Sequence, residues 1–196
     1  MLLEKLKSVS AYLTAEETAA IEGYIRAVPL RNTGVHGDLH GRNVMVVGQK
    51  LILIDMDDFS CGHPLWDIAN IHHIYQLNAH LEAHRGEEIY DLKGKIPFED
   101  FYVQVIGFTS EEADHIWERF FNGYFADYGE EERRSFLKLI EFYSKFKFVT
   151  FLFDRCEKFK HEPAKLAGKV KLIKGVLSEL AEENLPELLK ALAYWK

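Results

Sequence analysis

One long segment in the second half of the chain is apolar on almost every side. Residues 136–153 read FLKLIEFYSKFKFVTFLF, within a stretch of helical character that covers 133–156. A helix that is hydrophobic all round is stable only where other elements cover it. The segment therefore predicts a central buried helix in a domain built mostly from helices.

Other helices are marked by start signals and by helical periodicity. The segment 14–17, TAEE, is a capping box for a helix that should end near Pro29. The segment 109–112, TSEE, is a second capping box, and Gly129 is predicted to end the helix that it begins. Helical spacing predicts further helices from residue 64 and near residues 163–182 and 185–195.

One short stretch of the chain has the pattern of strands. VMVV at 44–47 and LILI at 51–54, separated by the turn 48–50, predict a β-hairpin. The hairpin delivers Asp55 at its exit. The chain has no internal repeat, low-complexity tract or linker, so residues 1–196 should form a single domain. The expected fold class is mostly α with one small β-hairpin (α+β).

Composition argues against several classes of protein. The 196 residues are 47% hydrophobic, which is enough to bury one sizeable core. A formal net charge of -7 gives no electrostatic footprint for nucleic acid. The N-terminus lacks the continuous apolar stretch of a signal peptide or membrane span, so a cytoplasmic protein with no membrane association is predicted. Cys61 and Cys156 stand far apart, which fits reduced thiols.

The segment 35–47, VHGDLHGRNVMVV, combines side chains that phosphoryl transfer requires. That reaction needs a carboxylate near the acceptor hydroxyl and oxygen ligands that hold magnesium against nucleotide phosphates. Asp38 and Asn43 are five residues apart, and the hairpin would fold Asp55 back toward them. The kinase catalytic loop, H-x-D-x-x-x-x-N followed by two strands and a metal-binding Asp, has this layout. His36 matches its first position.

Four elements occur together in the order of a known family. HGDLHGRN, the hairpin, IDMDD and PLWDIAN resemble the C-terminal lobe of the aminoglycoside phosphotransferase and choline kinase family, which has a protein-kinase-like fold. Four elements in order are more specific than any one of them. The resemblance divides the chain into a catalytic loop at 35–43, a hairpin at 44–54, a metal segment at 55–58 and a helical remainder at 64–196.

The resemblance implies a role for each of five side chains. Asp38 would be the catalytic aspartate that orients the acceptor hydroxyl. Asn43 and Asp55 would bind Mg²⁺, with ATP as the phosphoryl donor. His36 would brace the catalytic loop by hydrogen bonding, and Asp67, at the start of the following helix, would support the same loop.

The chain departs from the family ahead of the catalytic loop. Family members carry an N-terminal lobe with a sheet, a lysine that holds the nucleotide phosphates and a loop over them. Only 34 residues precede the motif here, and they have helical character. The N-terminal nucleotide lobe is therefore predicted to be absent, and the isolated chain is expected to be weakly active or inactive.

Two classes of function compete. The first is an ATP- and Mg²⁺-dependent phosphotransferase acting on a hydroxyl of a small-molecule acceptor, and the acidic residues near the site would suit a cationic acceptor. The second is a non-catalytic kinase-like binding module or partner-dependent half-enzyme, which would self-associate through the face left open by the missing lobe. A protein kinase fits less well, because HGD and IDMDD replace HRD and DFG.

Other polar groups have simpler interpretations. His36, Asp38 and His40 alternate as in a transition-metal cluster, yet no further His or Cys follows at zinc-like spacing. Cys61 is predicted to be a small buried residue. Two sets of side chains are predicted to lie on exposed helix faces, namely His72, His73, His80 and His84, and Lys165, Lys169, Lys171 and Lys174.

Overall fold

The computed structural model describes residues 2–76 and 107–195, which form a mostly helical α+β unit with two small antiparallel sheets. The helices are α1 (Leu2–Val9), α2 (Ala15–Ala27), α3 (Leu65–Tyr75), α4 (Ser110–Tyr124), α5 (Glu130–Lys158), α6 (Pro163–Ala181) and α7 (Leu185–Leu188). The strands are β1 (Thr33–Val35), β2 (Val44–Val47), β3 (Lys50–Leu53) and β4 (Ser60–Gly62). Short 3-10 turns occupy Ser10–Tyr12, Gly41–Asn43 and Leu189–Ala193.

Helix α5 is the centre of the fold, and the prediction of a central buried helix is confirmed. It packs against α1, α3 and α6. The largest side chains that it buries completely are aromatic, and burial of such rings is a major stabilising contribution. They are Phe136, Tyr143, Phe146, Phe148 and Phe153. In the two described ranges, no helix combines the length and apolarity needed to cross a membrane.

Both predicted capping boxes are confirmed. In α2 the Glu17 amide donates to Thr14 Oγ1 at 3.1 Å, and the Glu17 carboxylate accepts from the Thr14 amide at 2.7 Å. The same reciprocal bonds join Thr109 and Glu112 at the start of α4. These bonds satisfy amides that have no partner within the first helical turn. Helix α2 also ends ahead of Pro29, as predicted.

The predicted role of Gly129 is wrong. Helix α4 already ends at Tyr124, and Gly129 lies at the start of α5, where its amide donates to the Glu132 carboxylate at 2.8 Å. The run Glu130–Glu132 favours a helix start, because negative charge is stabilising at the positive end of the helix dipole. The acidic run therefore makes Gly129 begin a helix rather than end one.

The two small sheets flank residues 55–58 in the sequence, since β3 precedes this segment and β4 follows it. The predicted hairpin is confirmed, since β2 pairs with β3 and Val44 lies opposite Leu53. A second sheet, which was not predicted, pairs β1 with β4 and sets Val35 opposite Ser60. Its strands have three residues each and are far apart in sequence, so no local periodicity reveals them.

The prediction that His72 and His73 are exposed is wrong. His72 is buried against Trp117 of α4, with the ring centroids 4.6 Å apart. His73 is buried against Phe148 of α5, with the centroids 5.9 Å apart. Helix α3 contacts both α4 and α5, so few of its side chains reach solvent. His80 and His84 lie outside the described residues.

Two further burial predictions are wrong. Lys169 was expected on a solvated face but is 1% exposed. It lies one helical turn before Ile173, on the face of α6 that packs on α5, and its ammonium group is 5.4 Å from the centre of the Phe159 ring. Cys61 was expected to be buried but is exposed, because it lies in a two-stranded sheet with free edges.

The predicted helix at 185–195 is shorter than expected. Helix α7 covers four residues, and the chain then continues as a 3-10 turn to Ala193. Trp195 follows this turn and is buried in the core, where Arg31 donates to its carbonyl oxygen at 2.6 Å. Packing of Trp195, rather than helical periodicity, therefore decides the path of the last residues.

The buried ring of His63 makes the stability of the fold depend on pH. This ring is buried, accepts a hydrogen bond from the Leu65 amide through Nδ1 at 3.1 Å, and packs edge-on against Trp195. Desolvation, assisted by the positive charge of Arg31, lowers the pKa of His63 to about 4. The folded chain therefore favours the neutral ring.

Stability should consequently fall as the solution is acidified. The folded pKa of His63, about 4, lies below the unfolded value of 6.5. The contribution of the neutral ring to the free energy of unfolding is therefore complete above pH 6.5 and is lost as the pH falls toward 4. The loss amounts to roughly 3 kcal/mol. Urea unfolding of the wild type and His63→Asn over this range tests the prediction, because the Asn oxygen can replace Nδ1 as acceptor without titrating. Parallel pH dependences for the two proteins would contradict it.

Candidate functional site

Asp67 fixes the backbone at the start of the loop 35–43. Its carboxylate accepts from the amide of His36 at 2.8 Å and from the amide of Gly37 at 2.9 Å. Asp67 lies in the first turn of α3, which packs on α5. Gly37 has a φ of 86°, a conformation that glycine adopts without strain. The peptide ahead of Asp38 is therefore held by the core of the fold.

The ring of His36 connects this loop to the chain that leads to Asp55. His36 is buried, and its Nε2 lies 2.9 Å from the carbonyl oxygen of Ile54. The Ile54 amide in turn donates to the carbonyl oxygen of Asn43 at 3.0 Å. The first and last parts of the loop are thus both bonded to the residue that precedes Asp55.

Asp38 presents a half-exposed carboxylate with two side-chain contacts. Asn70 Nδ2 donates to Oδ1 at 3.3 Å, and His40 Nε2 lies 3.5 Å from Oδ2. The contact with His40 is the main cause that lowers the pKa of Asp38, and Asn70 and the charge of Lys147 add to it against partial burial. The ionised carboxylate is therefore favoured and oriented, which suits a group that accepts a proton or hydrogen bond from a hydroxyl.

Asn43 and Asp55 offer the oxygen atoms that Mg²⁺ prefers. Asn43 is buried and donates from Nδ2 to the Asp38 carbonyl oxygen at 2.9 Å, which leaves Oδ1 as its acceptor atom. Asp55 is exposed, and within the described ranges its carboxylate has no hydrogen bond or ion pair. Its φ of 59° is left-handed, which Asp tolerates better than most residues. A hard cation such as Mg²⁺ fits this pair of oxygen donors.

Residues 35–58 do not form a transition-metal site. Among the residues that the structure describes, no cluster of three or more His, Cys, Asp or Glu could hold a metal ion. The alternating His36, Asp38 and His40 do not converge, since the His36 ring bonds Ile54 while His40 faces Asp38. A cation at Asn43 and Asp55 would take its remaining ligands from water or phosphate, as Mg²⁺ commonly does.

Asn70 belongs to the site but was not predicted. It lies one helical turn after Asp67 on α3, and its Nδ2 also donates to the Leu39 carbonyl oxygen at 3.1 Å. One face of α3 therefore supports the loop twice, through a carboxylate and through an amide. The sequence signal was present in PLWDIAN, where the amide follows Asp67 at the spacing of one turn.

Lys147 is a second residue of the site that was not predicted. It belongs to α5, and its Nζ donates to the Gly37 carbonyl oxygen at 3.3 Å. Burial lowers the pKa of Lys147, while the nearby carboxylates of Asp38, Asp67 and Asp58 oppose that effect. The sequence does not single out Lys147, because the same helical segment also carries Lys138, Glu141 and Lys145.

An open cavity of about 290 Å³ lies against Asp38. Its lining includes carboxylates, an amide and two ammonium groups, so it suits a polar ligand. The polar lining residues that matter here are Lys5, Asp38, Asp58, Asn70, Lys147 and Asp154.

Comparison with family models relates most of the chain to a known family. The family model described as the phosphotransferase enzyme family, APH, matches residues 3–136. The matched range contains the loop, the hairpin and α3, and it extends beyond the segment 35–70 that carries the motifs. No curated protein and no solved structure matches the chain.

Proposed function

Because the chain belongs to the phosphotransferase enzyme family, we propose that it carries the catalytic loop and the magnesium ligands of an ATP-dependent kinase for a hydroxyl on a small molecule. One observation carries the proposal: Asp38, Asn43 and the residue before Asp55 are tied together by hydrogen bonds. Phosphoryl transfer depends mostly on such positioning and on electrostatic stabilisation.

Asp38 is the residue that contacts the hydroxyl of the acceptor. Its carboxylate orients the attacking hydroxyl and receives the proton as the new bond to the γ-phosphorus of ATP forms and the bond to the departing ADP oxygen breaks. Asn70 holds one carboxylate oxygen, and His40 lies beside the other. The lowered pKa of Asp38 keeps its carboxylate ionised at neutral pH, which favours a hydrogen bond from the acceptor hydroxyl.

Asn43 and Asp55 hold the metal. When bound, Mg²⁺ neutralises charge on the phosphates of the nucleotide. The side-chain oxygen Oδ1 of Asn43 is available because Nδ2 of the same amide is committed to the loop backbone. His36 and Asp67 position these groups by fixing the loop at Ile54 and at the start of α3.

We further propose that the described residues correspond to the C-terminal lobe of a protein-kinase-like fold and that a separate lobe grips the nucleotide. The order of loop, hairpin, Asp55 segment and helices supports this assignment. Ahead of the loop, α1 packs on α5 and α2 packs on α1. A positive charge on the acceptor stays a prediction, supported by the three carboxylates of the Asp38 cavity against two ammonium groups.

The decisive experiment is calorimetric titration of the chain with ATP, with and without Mg²⁺. Because a separate lobe is proposed to grip the nucleotide, binding of ATP to this chain alone should be weak, but its heat should require the metal and should vanish in Asp55→Asn. Asn also tolerates a left-handed backbone, so this variant should stay within about 0.5 kcal/mol of wild-type stability. Asp57→Asn removes a neighbouring exposed carboxylate and is the matched control, which should bind normally. Equal binding by Asp55→Asn and wild type would refute the proposed metal site.

A second candidate function is that of a binding module, and the hairpin favours it. Side chains on both faces of β2 and β3 are exposed although they are apolar, and they continue into the segment that follows. They are Met45, Val46, Val47, Leu51, Ile52, Leu53, Met56 and Phe59. Apolar patches of this kind mark surfaces that another protein covers.

Self-association through the hairpin is directly measurable. Val46 and Leu51 are paired across the two strands and are 71% and 74% exposed. If the hairpin forms a contact between copies, sedimentation should show a concentration-dependent dimer that the double variant Val46→Lys/Leu51→Lys abolishes. Tyr12→Lys changes an exposed aromatic residue elsewhere and should leave the dimer intact. A monomer at all concentrations would exclude this contact.

A further inference from the structure

A second, mainly apolar cavity lies beside the cavity of Asp38, and no step above uses it. Its volume is about 250 Å³. The walls come from the end of α2, the β1–β4 sheet and the first turn of α3, and the residues that matter here are Ile25, Val28, Val35, Ser60, Cys61 and Trp66. An apolar cavity of about 150 Å³ already accepts a benzene-sized ligand, so this one can hold a substituted ring or a short alkyl chain.

The two cavities meet at Leu2, Gly37 and Lys147, which line both of them. Gly37 has no side chain, and the Lys147 ammonium group is bonded to the Gly37 carbonyl oxygen. The boundary between the polar and the apolar cavity is therefore one peptide group and the side chains of Leu2 and Lys147. A ligand whose hydroxyl reaches Asp38 can extend its other end past this boundary.

We propose that the acceptor is an amphipathic alcohol, whose hydroxyl binds at Asp38 and whose uncharged apolar group fills the cavity lined by Ser60 and Trp66. This assignment rests on the proposed function. Water in an apolar cavity finds few hydrogen-bond partners, so an apolar group gains by displacing it. A cationic group there would lose its hydration and would be repelled by Lys147, which leaves the apolar end of the acceptor uncharged.

Fluorine NMR titration with 4-(trifluoromethyl)benzyl alcohol, in the absence of ATP and Mg²⁺, tests the apolar half of the proposal. Ser60 lines the cavity and lies opposite Val35 in the sheet, on the face toward Trp66, so Ser60→Phe fills the cavity, whereas Ser60→Ala leaves it open. The alcohol should bind the wild type and Ser60→Ala within about twofold of each other and Ser60→Phe at least about tenfold more weakly. Cys61→Phe is the matched control, because the next side chain along a strand points to the opposite face, and it should bind the alcohol like the wild type.

The hydroxyl half is tested with the hydroxyl-free compound 4-(trifluoromethyl)toluene. Asp38→Ala should weaken binding of the alcohol by about fivefold, the size of one hydrogen bond, and leave the hydroxyl-free compound unaffected. Equal affinities of Ser60→Phe and Ser60→Ala for the alcohol would overturn the proposal, as would an unchanged affinity of Asp38→Ala. These titrations contain neither nucleotide nor metal, so failure of nucleotide binding and failure of this inference are separate results.

Discussion

Gly37→Ala is expected to destabilise the chain by about 3 kcal/mol and to abolish Mg²⁺-dependent ATP binding, because two penalties coincide at this position. The residue has a φ of 86°, where a Cβ is unfavourable. The added Cβ would lie 2.8 Å from both the Cβ and the carbonyl oxygen of Asp58. A backbone atom cannot yield as a flexible side chain can, so the loop itself must move away from Asp67 and Lys147.

Gly48→Ala measures the penalty of a positive φ without the steric clash of the added Cβ. Gly48 also has a positive φ, 61°, but a Cβ there would meet nothing within 4 Å. It should therefore cost only about 1 kcal/mol, the conformational part alone, and leave the site intact. Urea unfolding and ATP titration of both variants check the prediction. If the two variants lose equal stability, close packing of the loop against Asp58 has no energetic role.

Asp67→Ala is expected to cost about 3 kcal/mol as well and to disorder the loop around Asp38. The change removes one carboxylate that accepts from two backbone amides, those of His36 and Gly37. Both amides then lose a charged acceptor, and His36 is buried, so water cannot readily replace it. The half-buried Lys147 also loses a neighbouring negative charge.

Asp67→Asn and Asp57→Ala make this prediction specific. Asn retains one acceptor oxygen, so Asp67→Asn should lose about half of the stability that Asp67→Ala loses. Asp57 is exposed and makes no hydrogen bond within the described ranges, so Asp57→Ala should be near neutral. Unfolding free energies from urea titration give the order directly. Equal losses for Asp67→Ala and Asp57→Ala would mean that the carboxylate does not hold the loop.

Several features of the candidate site could be read from single stretches of sequence. The spacing of His36, Asp38 and Asn43, together with the hairpin that precedes Asp55, predicted which side chains to examine. Each of these signals is local, because a loop and a tight hairpin fix distances over a few residues. The roles assigned to these residues remain predictions until the variants are measured.

Lys147 could not be assigned from the sequence, because its role depends on how elements pack. It lies 110 residues from Gly37 along the chain, and only the packing of α5 beneath the loop brings them together. The same reason explains why Lys169 and His73 are buried although polar residues on helices are usually exposed. Which face of a helix is covered depends on the neighbours of that helix, and no single segment encodes them.

The sequence by itself determined the helix starts, the hairpin, the central position of α5 and the family membership. Capping bonds, strand pairing across a tight turn and all-round hydrophobicity are properties of residues that are close in sequence. Only the tertiary structure decided the β1–β4 sheet, the hold of Asp67 on the loop, the burial of Lys147 and the apolar cavity beside Asp38. These features join residues far apart in the chain, and their contacts exist only once the helices have packed around α5.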